Sequence, residues 1–154
     1  MKREILISLV AVLVCTVCYA RSPQEQRRTA GCKPGNLFES DAATVEEMGH
    51  FLNSLKAAVA SGERQRVARF VHYPLPVATA DAQVTIRSEQ EFVKNYNRIL
   101  PPQLRDLLLR QETRCISRVG AKGFTIGTGE VWFDRFQDGK VKIFGITAVT
   151  YPKE

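Results

Sequence analysis

Few side chains in this sequence combine a reactive type with a useful position. His72 stands between Phe70 and Pro74, where a helix-like stretch gives way to a strand-like one, and the near-neutral titration of histidine suits it to proton transfer. Glu112, Glu130 and Asp134 fall on or beside expected strands. A carboxylate turned into an apolar interior loses hydration, its pKa rises, and it can serve as a base. Alternation argues against Asp134 in that role: it shares a face with Glu130 and Trp132, while Val131 and Phe133 take the other. Tyr73, Tyr96 and Trp132 are the aromatic residues that could line a binding pocket with His72 and Glu130, although such clusters more often serve packing. The plainer expectation for His72 is a histidine hydrogen-bonded in a wall. His50, opposite the apolar stripe of its helix, is expected to face solvent.

Other chemistries find no support in the residue patterns. Gly127-Thr128-Gly129 superficially suggests a phosphate loop. Such a loop needs a helix N-terminus behind it to aim amide groups at the anion, and here a strand follows, so the glycines are read as a bulge or sharp bend. Metalloprotease, serine-hydrolase and zinc-ribbon spacings do not occur. No catalytic residue, metal site or cofactor is therefore assigned from the sequence.

The start of the chain bears on where these residues work. Met1-Lys2-Arg3 is a short basic opening, Ile5 to Val17 is almost continuously apolar, and Cys18-Tyr19-Ala20 leads into polar Arg21. A membrane-spanning helix needs about 20 apolar residues. This run is shorter and ends in the manner of a signal-peptidase site, so residues 1–20 are expected to be a cleaved signal peptide. The protein is then exported, periplasmic or secreted, with no stable membrane insertion after cleavage. Loss of Lys2, Arg3 and Glu4 takes the net charge from +6 to +5. Outside the cytoplasm that charge does not point to nucleic acid. Arg64, Arg66 and Arg69, and Arg105, Arg110, Arg114 and Arg118, are read as solvated faces. Of four cysteines, Cys15 and Cys18 leave with the signal, and Cys32 and Cys115 remain. An oxidising destination makes a disulfide between them the expectation.

The rest of the chain supplies the elements that must position these groups. Residues 21–43 read as a flexible polar arm, pinned late by Cys32 and with order expected to start near Leu37, and 44–154 as a single domain, in a chain of 154 residues with ordinary globular composition. Thr44-Val45-Glu46-Glu47 has the pattern of a capping box, and Val45, Met48, Leu52, Leu55 and Val59 form one helical stripe. A second helix is expected from Glu63 to Val71, stopped by Pro74 and Pro76. Leu75–Thr79 and Gln83–Ile86 alternate as a hairpin at a sheet edge. Ser88 to Glu91 repeats the capping box before a helix with Phe92, Val93, Tyr96, Ile99 and Leu100 inward, and a short helix follows to Arg110. Four strands are then expected, Arg114–Val119, Gly123–Ile126, Glu130–Phe136 and Lys140–Thr150, with Asp138-Gly139 as a hairpin turn. The order gives an α+β class, N-terminal helices packed on a curved antiparallel sheet.

Three blocks carry a resemblance: Val67-Ala68-Arg69-Phe70-Val71-His72-Tyr73-Pro74-Leu75-Pro76-Val77, Glu91-Phe92-Val93-Lys94-Asn95-Tyr96, and Ile126-Gly127-Thr128-Gly129-Glu130-Val131-Trp132-Phe133. With the order of elements over about residues 44–150, the chain resembles the nuclear transport factor 2-like superfamily, and more narrowly a group of small exported bacterial proteins. The resemblance implies a cone-shaped α+β fold and export, and no particular chemistry. The leading expectation is an exported, non-catalytic domain that binds a protein partner or small ligand of the cell envelope. The alternatives are an isomerase- or dehydratase-like enzyme using His72 and a strand carboxylate, and a homodimer formed through the sheet.

Overall fold

Asp41 accepts hydrogen bonds from the backbone N–H of Thr44 at 2.9 Å and from its hydroxyl at 2.7 Å. It thereby satisfies N–H groups that the first helical turn leaves without partners. The helix it caps, α1 (Ala42–Ala60), is the longest in the computed structural model, which describes residues 34–79 and 82–147. The expected cap at Thr44 is therefore corrected to Asp41: both residue types can cap, and the upstream one wins. Glu47, which would have closed the box, pairs instead with Arg135 across 88 residues of chain. The apolar stripe is as expected, with Met48, Leu52, Leu55 and Val59 buried, and Phe51 and Ala58 added to it.

The second helix, α2 (Arg64–Ala68), is shorter than its expected span to Val71. Residues 70–72 leave it to pair with a strand far along the chain: Ile143 donates to the Phe70 carbonyl at 2.8 Å, and His72 donates to the Ile143 carbonyl at 2.7 Å. A cis Tyr73–Pro74 bond leads into the hairpin of β1 (Leu75–Ala78) and β2 (Gln83–Ile86). The helix expected from Ser88 divides into α3 (Glu89–Lys94) and α4 (Tyr96–Ile99). At the break, the Asn95 side chain donates to the Glu91 carbonyl at 2.9 Å, competing with the regular ladder. Ser88 caps α3 as expected, but the Glu91 carboxylate accepts from Arg87 N–H rather than from Ser88. A further helix, α5 (Pro102–Arg110), begins with proline in its first turn, where the missing N–H costs nothing.

The strand expected over Arg114–Val119 is mostly a different structure. Thr113–Cys115 makes a 3₁₀ turn, and only Ser117–Arg118, β3, pairs with β4 (Phe124–Ile126). Strands β5 (Val131–Arg135) and β6 (Val141–Thr147) follow, joined through the expected Asp138-Gly139 turn, with Gly139 at φ +75°.

The six strands lie in the order β2-β1-β6-β5-β4-β3. Every neighbouring pair is antiparallel except β1 and β6, which run parallel. The class is α+β as expected. The sheet, however, is mixed rather than wholly antiparallel, and it is neither closed nor strongly curled. Pro76 also does not sit on an edge strand; β1 is internal, and its pairing with β6 begins one residue later, at Val77.

One face of the sheet packs on α1. Phe51 stacks on Phe133 with ring centroids 4.8 Å apart and meets Phe70 edge-on at 5.8 Å. Val131, Ile126 and Ile143 fill the same layer, so the space a cone pocket would occupy between helix and sheet holds side chains. The end of the polar arm belongs to the fold, with order around Leu37 as expected and contacts reaching back to Gly35. Leu37 is fully buried, Gly35 donates to the Arg114 carbonyl at 2.9 Å, and the Asn36 side chain bonds both the N–H and the carbonyl of Arg118. The proposed signal segment and Cys32 lie outside the described residues. Among those described, no helix is long and apolar enough to cross a membrane.

Candidate functional site

The pairing of β5 with β6 contains an irregularity that shapes the other face of the sheet. Trp132 opposes Gly145 and Phe133 opposes Ile143, which leaves Phe144 as an extra residue in β6. Ile143 and Ile146 both remain in the core. Phe144 and Gly145 between them stay half-exposed.

Trp132 is held firmly there. Its indole N–H donates to the Gly129 carbonyl at 2.9 Å, and across the sheet it faces Gly145. Phe144 follows at 6.5 Å between ring centroids, Phe136 at a further 6.4 Å, and His72 stacks on Phe136 at 4.0 Å with 19° between planes. Trp132, Phe136 and Phe144 stand outside the apolar core cluster, and His72 is exposed. The result is a row of four rings along β5, β6 and the approach to β1.

The residues singled out from the sequence are not brought together as one pocket. His72 and Trp132 share the aromatic row. Tyr73 is half-buried against the core, where its hydroxyl donates to the Ala68 carbonyl at 3.0 Å; burial, with a smaller effect from Glu89, pushes its pKa up. Tyr96 is buried among helices with its ring near Arg64 and Arg105. Burial raises its pKa against the opposing pull of Arg105 and Arg64.

Glu130 is buried but committed to the β4–β5 turn. Its carboxylate accepts from the backbone N–H of Thr128 and, at 3.1 Å, from the Thr128 hydroxyl. Gly127 makes that turn at φ +72° and hands its N–H to the Gln111 side chain at 3.3 Å. The glycine pair is thus a tight turn closed by a carboxylate.

The other carboxylates are placed no better for base chemistry. Glu112 accepts from Arg114 at 2.6 Å, which holds its carboxyl below the usual range, opposite to the shift a base would need. Asp134 accepts from the N–H of Arg135 at 2.8 Å. Neither of the two described cavities is lined by His72, Glu112, Glu130 or Asp134. His50 is exposed and lies 3.5 Å from Glu46. Among the described residues no three His, Cys, Asp or Glu side chains gather as a metal site. Cys115 is buried at the end of the 3₁₀ turn, and its expected partner Cys32 lies outside the described residues.

Sequence reasoning missed Phe136 and Phe144. Phe136 was accessible to it, since it continues the alternation of Trp132 and Asp134. Phe144 was not, because the irregularity that turns it outward comes from pairing rather than from local pattern. No protein-family model, curated protein or solved structure matches this chain.

Proposed function

We propose that the protein is an exported, non-catalytic binding domain of the nuclear transport factor 2-like kind, and that a protein partner seats on the aromatic face of β5 and β6. The fold reading is supported by one long helix crossing a sheet whose strands come mostly after the helices. The observation that carries the function is the row of Trp132, Phe144, Phe136 and His72 standing outside the core.

Aromatic rings with a polar rim are the usual anchors of protein interfaces. The geometry also selects among occupants. Trp132 and Phe144 are tilted by 54°, and Phe144 and Phe136 by 66°. Rings at such angles make a ridged surface with notches for aliphatic and aromatic side chains, whereas stacking along a sugar chain asks for a flatter platform. The isomerase or dehydratase alternative needs His72 and a carboxylate to converge in an apolar pocket, and the separate engagements of Glu112, Glu130 and Asp134 weigh against it.

The test compares retention of proteins from envelope extract by the tagged mature chain and by its Phe136→Ser and Trp132→Ser variants, with circular dichroism to verify folding. A partner held by the wild type and lost from both folded variants is expected. Equal retention by all three would overturn the reading. A dimer in light scattering that both variants dissociate would replace the partner by a second copy of the chain. Export is read separately, as the intact mass of a form beginning at Arg21.

A further inference from the structure

An open surface hollow of about 590 Å³ lies between α2 and α3, lined by the exposed Glu63, Arg64, Gln65, Arg66 and Arg69 and the half-buried Val93. Its charges do not balance. Glu63 is engaged by Arg66 at 3.5 Å, and among the described residues no carboxylate pairs with Arg64 or Arg69. Lys142 adds a further cation close by, since its ammonium donates to the Arg69 carbonyl.

Arg64 is also fixed from behind. Its guanidinium lies 5.5 Å from the centroid of the buried Tyr96 ring, and Arg105 lies 5.8 Å from the same centroid. The aromatic ring attracts both cations. Arg105 at least has acceptors, the Leu100 carbonyl at 2.8 Å and the Asn97 side chain at 3.3 Å. The Tyr96 hydroxyl is buried and does not line the hollow, so its ring and not its hydroxyl acts on Arg64. Arg64 and Arg69 are exposed, so water solvates them at no cost to the fold, and they present unpaired positive charge to the hollow, where an entering anion would meet two guanidinium groups and no free competing carboxylate.

We infer that this hollow binds a phosphate-type oxyanion through Arg64 and Arg69, with Tyr96 as a positioning residue whose ring holds Arg64 toward the site. Guanidinium forks match the paired oxygens of a phosphate group, and two arginines match the charge of a dianion. The site is separate from the aromatic sheet face and does not depend on a partner there. Phosphate oxygens could come from a small soluble ester or from a lipid headgroup, and the two sources are separable by experiment.

The mature protein is titrated at fixed ionic strength with inorganic phosphate and glycerol 3-phosphate by calorimetry and by amide chemical shifts. In a parallel arm it is sedimented with phosphatidylglycerol or phosphatidylcholine vesicles. Saturable binding in one arm is expected, weakened at least about tenfold by Arg64→Gln or Arg69→Gln, as loss of a charge-assisted hydrogen bond implies. The source is the arm in which this occurs. Arg110→Gln, on α5 and outside the lining of the hollow, should leave binding within about twofold. Tyr96→Phe keeps the ring and should retain affinity, and Tyr96→Leu should lose it while folded by circular dichroism. If Tyr96→Leu does not fold, the exposed arginine variants still decide the matter. The inference is overturned by absence of saturation in both arms, or by equal weakening in Arg110→Gln and Arg64→Gln, which would reduce the effect to net charge.

Discussion

Replacing Gly35 by alanine would show whether the stretch ahead of α1 is as much a part of the fold as its contacts indicate. An added Cβ would lie 2.0 Å from the Ile116 carbonyl oxygen, 2.4 Å from its carbon and 2.9 Å from the Ser117 nitrogen. All three are backbone atoms, so no rotamer change relieves the overlap. Gly35 does not have positive φ, and the penalty is one of space alone. The segment must move away from residues 114–118. That movement stretches the bonds from Gly35 N–H to Arg114 at 2.9 Å and from Leu37 N–H to Ile116 at 3.2 Å, each worth about 1 kcal/mol net. It also starts to uncover Leu37, which is fully buried, and full exposure of a leucine forfeits about 2 kcal/mol. Gly35→Ala should then lose about 2–4 kcal/mol. Urea unfolding of the oxidised mature protein measures this as a lower midpoint at unchanged slope. Gly62→Ala is the comparison: nothing lies within 4 Å of its Cβ, and its φ of +70° costs about 1 kcal/mol. A Gly35→Ala loss no larger than that of Gly62→Ala would refute the docking of residues 35–37.

The same docking bears on the cysteines: Gly35 lies against Arg114, next to Cys115, and Cys32 is three residues before Gly35. The unfolded, unreduced mature protein should show no free thiol, and Cys115→Ser should lower stability by about 2–4 kcal/mol; two titratable thiols would rule the bond out. Glu130→Gln puts an amide where the Thr128 N–H and hydroxyl need acceptors. A loss of about 1–3 kcal/mol is expected, and unchanged stability would leave the carboxylate free for another role. Asp41 is held below its ordinary pKa of 3.8 by its bonds to Thr44. Its contribution is thus complete above that value and disappears as pH falls through the lower folded pKa. The melting temperature should fall more steeply in the wild type than in Asp41→Asn as pH drops below about 4, since asparagine caps without titrating; parallel profiles would exclude Asp41 as the source.

How far the chain could be read in advance depended on how far apart the deciding contacts lie. The stripe of α1 was legible because a 3,4 spacing is decided within a few turns. Its start was not, because Asp41 and Thr44 both satisfy the local rule. The overlong reading of α2 has a non-local cause: Val71 has helical neighbours before it, but Ile143, 72 residues away, draws it into a bridge. The parallel pairing of β1 with β6, in which Val77 meets Ile146, is non-local in the same way, and alternation within β1 could not reveal it. Cys115 looked like a strand residue beside Ile116, yet the 3₁₀ turn over Thr113–Cys115 redirects it.

The aromatic face marks a sharper boundary between pattern and function. Alternation alone places Trp132, Asp134 and Phe136 opposite Val131 and Phe133. It does not say which set meets α1, and burial of Phe133 against Phe51 decides that. Once Val131 and Phe133 have filled the core, the fold has no need of large rings on the outer side, where threonine or lysine would serve the sheet as well. The irregularity in β6 strengthens the point. A regular strand would return every second residue to the core, whereas here Ile143 and Ile146 both stay inside and Phe144 is set beside Trp132. Half-exposed rings withhold part of the stabilisation that full burial would provide, roughly 1–2 kcal/mol for each. A sheet that holds several of them in one row, with the indole anchored on Gly129, keeps apolar surface half-exposed among the described residues, and seating the proposed partner there would recover that stabilisation.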